Sequence, residues 1–354
     1  MSRFLKEKYQ KLDPYTPGEQ PKEREYIKLN TNESPFPPSK KAIELANDEL
    51  AKLMLYSDPE CKSLVSQMSK SFGVSEDRII MTNGSDEVLN FAFMAYCDEN
   101  TPAVFADITY GFYKVFASVN NLPTKIIALK DDFSIDTNDY IDTDGTVFIA
   151  NPNAPTGIFL GAEEIERLLI ANPKRVVVID EAYVDFGAVS CIPLTKKYKN
   201  LLVTGTFSKS RSMAGARLGF GIGCPELIAD LTMIRYSTNP YNVNRMTMAA
   251  GIGALTDKEY FEECTSLVVK AREYTEQALS LLGFDMTDSL ANFVFARHPM
   301  IDGEELYLKL KERGVLVRHF SSPRIAEYNR ITIGTLEQMQ TLVSIIKDIL
   351  ETKK

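Results

Sequence analysis

The segment LLVTGTFSKSRSMAGARLGFGIG, residues 201–223, begins with an apolar run, continues through a hydroxyl-rich loop with one lysine, and ends in a second apolar run. Shortly before it, RVVVIDEAYVDF at 175–186 shows the same pattern of an apolar run that ends in polar residues. Short apolar runs without polar alternation are typical of strands that are covered on both faces. The two segments therefore predict strands of a mainly parallel sheet.

Similar patterns extend this interpretation from residue 41 to about 250. Further apolar runs alternate with helical patterns, at 78–81, 103–106, 125–129 and 146–150. After a long helical stretch near 257–282, the order becomes a strand (293–297), a helix (302–313), two strands (315–320 and 330–334) and a last helix, which is typical of a small antiparallel layer. The sequence predicts an α/β fold with a large domain at 41–255 and a small α+β domain formed by 1–40 and 256–354.

The composition excludes several classes of protein. The chain has 40 Lys plus Arg against 48 Asp plus Glu, and its net charge of -8 lacks the basic field that binds nucleic acid or an anionic membrane. Two histidines and five scattered cysteines, without a Cys-x-x-Cys pair, do not suit a metal site. The N-terminal residues carry charge instead of the apolar core of a secretory signal, and no membrane span is visible. We expect a cytoplasmic protein that binds neither metal, nucleic acid nor membrane.

Polar residues follow the predicted strands at the sheet edge where ligands bind. Asp180 closes one strand, and Tyr183 follows three residues later. A carboxylate there suits a cationic ring nitrogen, although a helix N-cap or a magnesium ligand is the plainer interpretation of Asp180 alone. Lys209, in the next loop, can form a Schiff base if burial keeps its amine neutral, but a lysine beside serines is usually solvated.

Two neighbouring features predict a site for a phosphate group. The hydroxyls of Thr206 and Ser208 and the guanidinium of Arg217 lie in the lysine loop and can jointly bind a phosphate. The turn at 83–86 leads into a predicted helix, so its free backbone N–H groups lie at the positive end of a helix dipole.

Taken together, these motifs resemble those of the fold-type I pyridoxal-phosphate enzymes of the aspartate aminotransferase superfamily, and most of all its histidinol-phosphate aminotransferase branch. The matching segments run over nearly the whole chain: LNTNESP (29–35), YSDPE (56–60), NGSDE (83–87), TYGFY (109–113), NPNAPTG (151–157), DEAYVDF (180–186), TFSKSRSMAGARLGFGIG (206–223), PYNVN (240–244), GVLVR (314–318) and RITIGT (330–335). The resemblance implies an aspartate-aminotransferase-like fold, with a large mainly parallel α/β/α domain and a small α+β domain, and pyridoxal 5'-phosphate as cofactor.

The resemblance also implies roles for individual residues. Lys209 would hold the cofactor as an internal aldimine and later move a proton between substrate and cofactor. Asp180 would pair with the protonated ring nitrogen, which keeps the ring an electron sink. Tyr183 would bond the phenolic oxygen, and Tyr110 would stack on the ring. The residues implied to bind the phosphate are Gly84, Ser85, Asp86, Thr206, Ser208, Arg217 and, from the neighbouring subunit of a homodimer, Tyr56.

For the substrate, the resemblance assigns two arginines and one tyrosine. Arg330 would bind an α-carboxylate, Arg318 would bind a distal phosphate, and Tyr15 would close over the same pocket. A surface arginine on an edge strand is the alternative interpretation of Arg318. Because twelve residues separate the two arginines, the sequence does not establish that they converge.

One position departs from the family pattern. Ala154 stands where members of the superfamily have an asparagine that donates to the phenolic oxygen of the cofactor. Either Asn153, the cofactor-binding residue that we assign here, turns inward to make this contact, or Tyr183 works with less help.

The implied reaction is a ping-pong transfer of the amino group of histidinol phosphate to 2-oxoglutarate, in histidine biosynthesis. An aromatic amino-acid aminotransferase and a threonine-phosphate decarboxylase share almost every motif. From another class, a non-catalytic binding protein on the same scaffold is disfavoured, because such a protein has no need for Asp180, Tyr183, Lys209 and Arg217 together. A nicotinamide-dependent dehydrogenase is disfavoured because the LGFGIG segment lacks the third glycine of G-x-G-x-x-G.

Overall fold

A seven-stranded sheet forms the centre of the molecule, for which a computed structural model describes residues 2–353. Within that range the strands are β1 (Ile27–Lys28), β2 (Ile79–Thr82), β3 (Ala103–Ala106), β4 (Thr124–Ile127), β5 (Thr146–Ala150), β6 (Val177–Asp180), β7 (Leu201–Thr206), β8 (Gly219–Ile222), β9 (Asp285–Met286), β10 (Phe293–Arg297), β11 (Val315–Leu316), β12 (Arg318–His319) and β13 (Asn329–Thr332). The α-helices are α1 (Glu7–Gln10), α2 (Lys40–Asp48), α3 (Lys62–Phe72), α4 (Ser85–Tyr96), α5 (Phe112–Val119), α6 (Asn138–Ile141), α7 (Ala162–Ala171), α8 (Pro225–Thr238), α9 (Arg245–Thr256), α10 (Lys258–Leu281), α11 (Gly303–Glu312) and α12 (Leu336–Glu351).

The central sheet has the strand order β2-β8-β7-β6-β5-β3-β4. The four pairs among β3 to β7 are parallel, whereas β8 runs antiparallel to both β2 and β7. Both faces of the sheet are covered, since Val178 of β6 packs in one apolar cluster while Val177 and Ile179 pack in another. The mainly parallel sheet predicted from the apolar runs is confirmed.

The register of the sheet brings the polar ends of neighbouring strands together. Ala150 of β5 lies beside Asp180 of β6, which lies beside Thr204 of β7. Because these strands are parallel, the loops that follow them leave the sheet at one edge, and ligands of open α/β sheets bind at that edge.

A second sheet, antiparallel and of order β12-β13-β10-β9, lies in the C-terminal part of the chain. Its apolar side packs with α12 in a cluster that includes Phe293, Ile331 and Leu342. This layer fits the small α+β domain, and we propose the division into 41–255 and 1–40 plus 256–354. The outermost residues of that division, Met1 and Lys354, lie outside the described range.

The N-terminal arm is attached to the small layer. Strand β1 pairs in parallel with β11, so that Ile27 lies beside Val315. Arg24 donates hydrogen bonds to the carbonyls of Lys311 and Glu312 at the end of α11, where free carbonyls attract a cation. These contacts join residues of the arm to residues about 290 positions away in sequence.

One predicted strand was wrong in its extent, and two helices were missed. Residues 315–320 were predicted as one strand, but the segment divides at the buried Val317, where it changes partner from β1 to β13.

Helices α8 and α9 were not predicted. In α9, Gly251 and Gly253 weaken the helical pattern, yet a Cβ on Gly253 would lie 2.5 Å from the Cα of Ala42. Glycine there permits the close packing of α9 on α2.

Some further properties concern the whole described range. No helix in residues 2–353 is both long and apolar enough to cross a membrane. In the same range, no group of three or more His, Cys, Asp and Glu side chains is placed to hold a metal ion. All five cysteines are free and buried. The cytoplasmic location stays a prediction.

A close approach between backbones shapes the turn at 83–86. Gly219 of β8 lies opposite Thr82, and a Cβ on Gly219 would lie 2.3 Å from both the carbonyl carbon of Gly84 and the nitrogen of Ser85. Only a residue without a side chain lets this turn lie directly against the sheet.

We predict that Gly219→Ala destabilises the protein by about 1–3 kcal/mol, because the added methyl group forces the turn away from β8. The measurement is the free energy of unfolding from urea denaturation. Gly215→Ala is the matched control, since a Cβ there has nothing within 4 Å, and we expect a change within about 0.5 kcal/mol. Equal losses in the two variants would contradict the close-approach argument.

Candidate active site

A cavity of about 620 Å³ opens at the carboxyl edge of the central sheet, between that sheet, the small layer and the arm. Its walls come from the loops after β3, β5, β6 and β7, from the start of α4 and from β12 and β13. Twelve of the residues predicted from the sequence line it: Tyr15, Ser85, Asp86, Tyr110, Asp180, Tyr183, Thr206, Ser208, Lys209, Arg217, Arg318 and Arg330. The structure therefore brings together side chains that are up to 315 residues apart in sequence.

Lys209 projects into this cavity from the loop after β7. Its Nζ donates to the carbonyl of Thr31 at 3.2 Å. Burial of the amine, and then the positive charge of the nearby Arg330, lower the pKa of Lys209 to about 8. The amine is therefore mostly protonated at neutral pH, but a minor fraction is neutral there and able to act as a nucleophile or a base.

Asp180 lies at the end of β6 and is only 4% exposed. One carboxylate oxygen accepts from the hydroxyl of Tyr113 at 3.3 Å, and the other accepts from Thr204 at 3.4 Å and from the N–H of Ala182 at 3.3 Å. Burial, and then the charge of Asp86, raise the pKa of Asp180 to about 7. These hydrogen-bond partners are all neutral, so a cation brought beside Asp180 would stabilise its charged form.

The turn before α4 and the lysine loop form a pocket that suits a phosphate. Gly84 has φ 76°, and a Cβ there would lie 2.6 Å from Nη2 of Arg217. Thr206 donates to the hydroxyl of Ser208 at 2.9 Å, and the N-terminus of α4 begins at Ser85. Hydroxyls, a guanidinium and free N–H groups thus surround one small space, which is the donor set of a phosphate site.

Asp86 has a different position from the other predicted phosphate ligands. Its carboxylate accepts from the hydroxyl of Tyr110 at 2.7 Å and from Nη2 of Arg217 at 3.1 Å. A negatively charged side chain repels a phosphate, so only the backbone N–H of Asp86 can bind one. The side chain instead holds Tyr110 and Arg217 in place.

Tyr183 reaches the cavity from the loop after β6, with its ring edge-on to Phe293 at 5.1 Å between centroids. Burial raises the pKa of Tyr183, and the charge of Arg330 opposes this effect. The hydroxyl accepts a hydrogen bond from Nδ2 of Asn32 at 3.0 Å. The phenol is therefore protonated at neutral pH and has a fixed neighbour.

The expectation that Asn153 turns into the cavity is not met. Its amide nitrogen donates to the carbonyl of Ile108 and the hydroxyl of Thr156, both at 3.0 Å, and its amide oxygen accepts from Thr109 at 2.8 Å. These contacts tie Asn153 to the loop after β3, while Ala154 faces the cavity. The position of Asn153 in its motif suggested this residue, but two tertiary hydrogen bonds and one local hydrogen bond hold its amide away from the cavity.

Arg318 and Arg330 converge, which their separation in sequence could not show. They face each other as paired residues of β12 and β13. Arg330 donates to the carbonyl of Asn30 at 3.0 Å, and its Nε is buried without a hydrogen-bond partner. Arg318 donates to the carbonyl of Thr16 at 3.2 Å. Two adjacent guanidiniums, one with an unpaired donor, form a site for a substrate anion.

Tyr15 covers the same end of the cavity. Its ring stacks on Phe112 at 4.4 Å between centroids, although the arm that carries it is attached to the small layer. This stack connects the arm to the large sheet domain above the arginine pair.

Tyr56 lies outside the cavity of its own chain. Its side chain is 80% exposed, and its ring stacks on Tyr241 at 4.6 Å. Arg245 donates to the carbonyl of Tyr56 at 3.0 Å and pairs with Glu49 at 2.9 Å. The segment that carries Tyr56 is thus held on the surface.

Several residues around the site were not predicted individually. Asn32, Tyr113 and Thr204 contact the predicted residues directly. Asn32 and Tyr113 belong to the LNTNESP and TYGFY motifs. The motifs were therefore recognised, but no role was assigned to these two residues within them. Thr204 lies within an apolar strand, where only the sheet register reveals its contact with Asp180.

The chain's own residues fit pyridoxal phosphate. The cavity offers a lysine whose amine is partly neutral, a buried carboxylate with neutral partners for the ring nitrogen, and a glycine-lined phosphate pocket. Lys209, Asp180, Tyr183 and Tyr110 would contact the ring portion, and Ser85, Ser208 and Arg217 would contact the phosphate.

Comparisons with known proteins show which sequences the chain is related to. Residues 24–346 match the family model described as "Aminotransferase class I and II". The chain is 49% identical to a histidinol-phosphate aminotransferase of Brachyspira hyodysenteriae, over 99% of this chain and 100% of that protein. It is 45% identical to a histidinol-phosphate aminotransferase of Clostridium acetobutylicum, over 98% of this chain and 99% of that protein.

Solved structures give the same fold. The histidinol-phosphate aminotransferase of Sinorhizobium meliloti, solved in complex with pyridoxal-5'-phosphate, superposes with a TM-score of 0.88, 21% identity and 99% coverage of both chains. The aspartate aminotransferase of Thermus thermophilus, solved with maleate, superposes with a TM-score of 0.82, 18% identity, and coverage of 98% of this chain and 99% of that one.

The low pKa of Lys209 leads to a prediction for cofactor binding. Because the neutral amine is the nucleophile that reacts with the cofactor's aldehyde, the rate at which the apoprotein takes up pyridoxal phosphate should rise with pH, with a midpoint at a pH of about 8. In Arg330→Gln the midpoint should move to higher pH, since one cation that disfavours protonated Lys209 is lost. The measurement is the absorbance change on mixing, across a pH series.

Arg313→Gln is the control, because this exposed arginine lies at the end of α11 and does not line the cavity. Its midpoint should equal that of the unmodified protein. An unchanged midpoint in Arg330→Gln would show that Arg330 does not influence the lysine.

Proposed function

The chain belongs to the class I and II aminotransferases and uses pyridoxal phosphate, and we propose that it transfers the amino group of histidinol phosphate to 2-oxoglutarate. The relatives named as histidinol-phosphate aminotransferases cover nearly the whole chain at 42–49% identity. They favour this substrate over the aromatic amino acids and over threonine phosphate.

The observation that carries the proposal is the arginine pair at one end of the cavity. Arg318 and Arg330 are paired residues of two adjacent strands, and both line the cavity that also holds Lys209. Histidinol phosphate carries its phosphate close to the amine, and glutamate carries two carboxylates. Two neighbouring guanidiniums supply positive charge for either set of anions, whereas phenylalanine has one carboxylate to offer.

Each substrate anion has a proposed partner. Arg330 binds the α-carboxylate of glutamate through its unpaired Nε and its outer nitrogens. Arg318 binds the phosphate of histidinol phosphate, exchanging its contacts with the arm carbonyls of Thr16 and Pro17 for charged ones. Tyr15 then lies over the bound substrate and limits the access of water.

The remaining residues hold protons in place or transfer them. When bound, pyridoxal phosphate supplies the electron sink that stabilises negative charge on the reacting carbon. Asp180 would hold the ring nitrogen protonated, since a cation beside its buried carboxylate stabilises the charged form. Lys209 Nζ would take the proton from the reacting carbon of the amino donor and would give it to the carbon of the cofactor to which the nitrogen is bound. Tyr183 donates to the phenolic oxygen next to this amine.

A homodimer with shared active sites completes the proposal. The exposed apolar side chains Leu53, Met54 and Leu55 adjoin Tyr56, and contiguous exposed apolar residues mark interaction surfaces. A second copy of the chain covers this surface and receives the hydroxyl of Tyr56 at its own phosphate pocket. Tyr241, which stacks on Tyr56, holds the ring ready for that contact.

We predict that Arg318→Gln raises KM for histidinol phosphate by roughly 10- to 150-fold, because a hydrogen bond to a charged group contributes about 1.5–3 kcal/mol. The measurement is steady-state kinetics with histidinol phosphate and with phenylalanine as amino donors. Phenylalanine has no phosphate, so its KM should change little. Arg313→Gln should alter neither value.

Two results would contradict this assignment. Unchanged kinetics with histidinol phosphate in Arg318→Gln would remove the phosphate role of that residue. An unmodified enzyme that aminates 2-oxoglutarate from phenylalanine or another donor, but not from histidinol phosphate, would remove the substrate itself.

Shared sites predict complementation between two defective chains. Lys209→Ala cannot react with the cofactor, and Tyr56→Ala should bind the phosphate weakly at both sites of its dimer. When the two variants are expressed together and the mixed dimer is isolated through two different affinity tags, one site combines an intact Lys209 with an intact Tyr56. We expect that dimer to recover activity and tight cofactor binding.

The controls are the two parent dimers, which should stay at their own low activities under the same conditions. A mixed dimer no better than the Tyr56→Ala parent would mean that Tyr56 does not serve the partner's site. A protein that stays monomeric by analytical ultracentrifugation would contradict the dimer.

A further inference from the structure

We propose that Asn32 is a positioning residue that directs the phenol proton of Tyr183 into the cavity, and that it thereby supplies the help that Ala154 cannot give. The inference rests on the aminotransferase function but not on the identity of the amino donor. The Nδ2 of Asn32 lies 3.0 Å from the Tyr183 hydroxyl, and Asn32 is only 1% exposed.

The direction of this hydrogen bond follows from the surroundings of the Asn32 amide. The hydroxyl of Thr332 accepts from the backbone N–H of Asn32 at 2.9 Å and lies 2.9 Å from Oδ1 of the same residue. If the amide were turned over, the proton of this buried hydroxyl would lose its acceptor, which is costly. Oδ1 therefore faces Thr332, and the donor Nδ2 faces Tyr183.

A donor on that side decides where the phenol proton goes. The Tyr183 oxygen accepts from Nδ2, so its own proton cannot point toward Asn32, where it would meet the amide hydrogens. Tyr183 lines the cavity, and Lys209 Nζ lies 5.8 Å from the centroid of its ring. The proton is left to point into the space beside the lysine, where an acceptor on the cofactor would receive it.

Asn32 is held firmly enough for this task. Its backbone has φ 54°, a left-handed conformation that asparagine tolerates better than most residues. Its carbonyl accepts from Nδ2 of Asn292 at 3.1 Å. Together with the two contacts to Thr332, three hydrogen bonds from the small layer fix both the backbone and the amide.

The same layer carries the substrate arginine. Thr332 lies two residues after Arg330 on β13, so both side chains leave the same face of the strand. One strand therefore places the carboxylate ligand and, through Asn32, the proton of Tyr183.

The alternative donors are absent at this position. Ala154 has no polar side chain, and the amide of Asn153 is bonded to Ile108, Thr109 and Thr156. Among the hydrogen bonds of the described residues, the one that reaches the Tyr183 hydroxyl comes from Asn32.

The test is Asn32→Gly, because glycine keeps the left-handed backbone and removes only the amide. A phenol proton that is no longer directed stabilises the cofactor's phenolic oxygen less well, so the nitrogen at Lys209 keeps its proton to higher pH. We expect the pKa of that nitrogen, read from the absorption bands of the bound cofactor across a pH titration, to rise by about 0.5–1 unit. No substrate is present in this measurement.

A double-mutant cycle separates a role through Tyr183 from a general structural role. Tyr183→Phe should raise the same pKa, and Asn32→Gly should have no further effect in the Tyr183→Phe background. Asn200→Ala is the control, since that buried asparagine donates to three carbonyls away from the cavity. It should lower the unfolding midpoint without changing the pKa.

Two results would overturn the proposal. One is a pKa in Asn32→Gly equal to that of the unmodified protein, and the other is a full effect of Asn32→Gly that persists in the Tyr183→Phe background. Asn32→Ala, measured in parallel, gives a second removal of the amide if the glycine variant binds cofactor poorly. Because the titration needs no substrate, a failure of histidinol phosphate as donor would leave this result unaffected.

Discussion

The positive charge of Arg330, which lies in the same cavity as the amine of Lys209, is the constraint on which the rest of the site depends. Arg330 has a buried Nε without a partner, and its charge helps to lower the pKa of Lys209. This arrangement suits the roles proposed for both groups, in which the guanidinium binds a substrate carboxylate and the amine reacts while it is neutral. A net charge of -8 for the whole chain therefore says nothing about the cavity, which concentrates Lys209, Arg217, Arg318 and Arg330.

Two acidic side chains of the cavity have different partners. Asp86 pairs with Arg217 at the phosphate end, and it also holds the hydroxyl of Tyr110. Asp180 has neutral partners and a pKa raised to about 7, so it is the acid that requires a cation from outside the chain. The two carboxylates differ because one lies beside a guanidinium and the other lies at the end of a buried strand. Their environments, and not their residue type, separate a supporting role from a cofactor contact.

The sequence predicted the central sheet well, because strands buried on both faces leave continuous apolar runs that few other structures produce. It also predicted most of the cavity, since polar residues at the ends of parallel strands meet at one edge. It could not show that Arg318 and Arg330 face each other, because a pairing register of two short strands leaves no trace in composition. Helix α9 was missed because glycine, read locally, interrupts a helix, whereas here it permits contact with α2. Asn153 was assigned from its place in a motif, but hydrogen bonds from the loop after β3 decide where its amide points.

The attachment of the arm has a consequence for the order in which the molecule is made. Ile27 pairs with Val315, and Asn32 contacts Thr332 across 300 positions of sequence. A ribosome releases the arm first and these partners almost last, so the large sheet has all its strands while the arm still lacks its partners. Contacts this distant are slow to form, because a long loop must close before they contribute. The cavity is thus the last part of the molecule to be completed, and a nascent protein carries β1 without its partner strand for most of its synthesis.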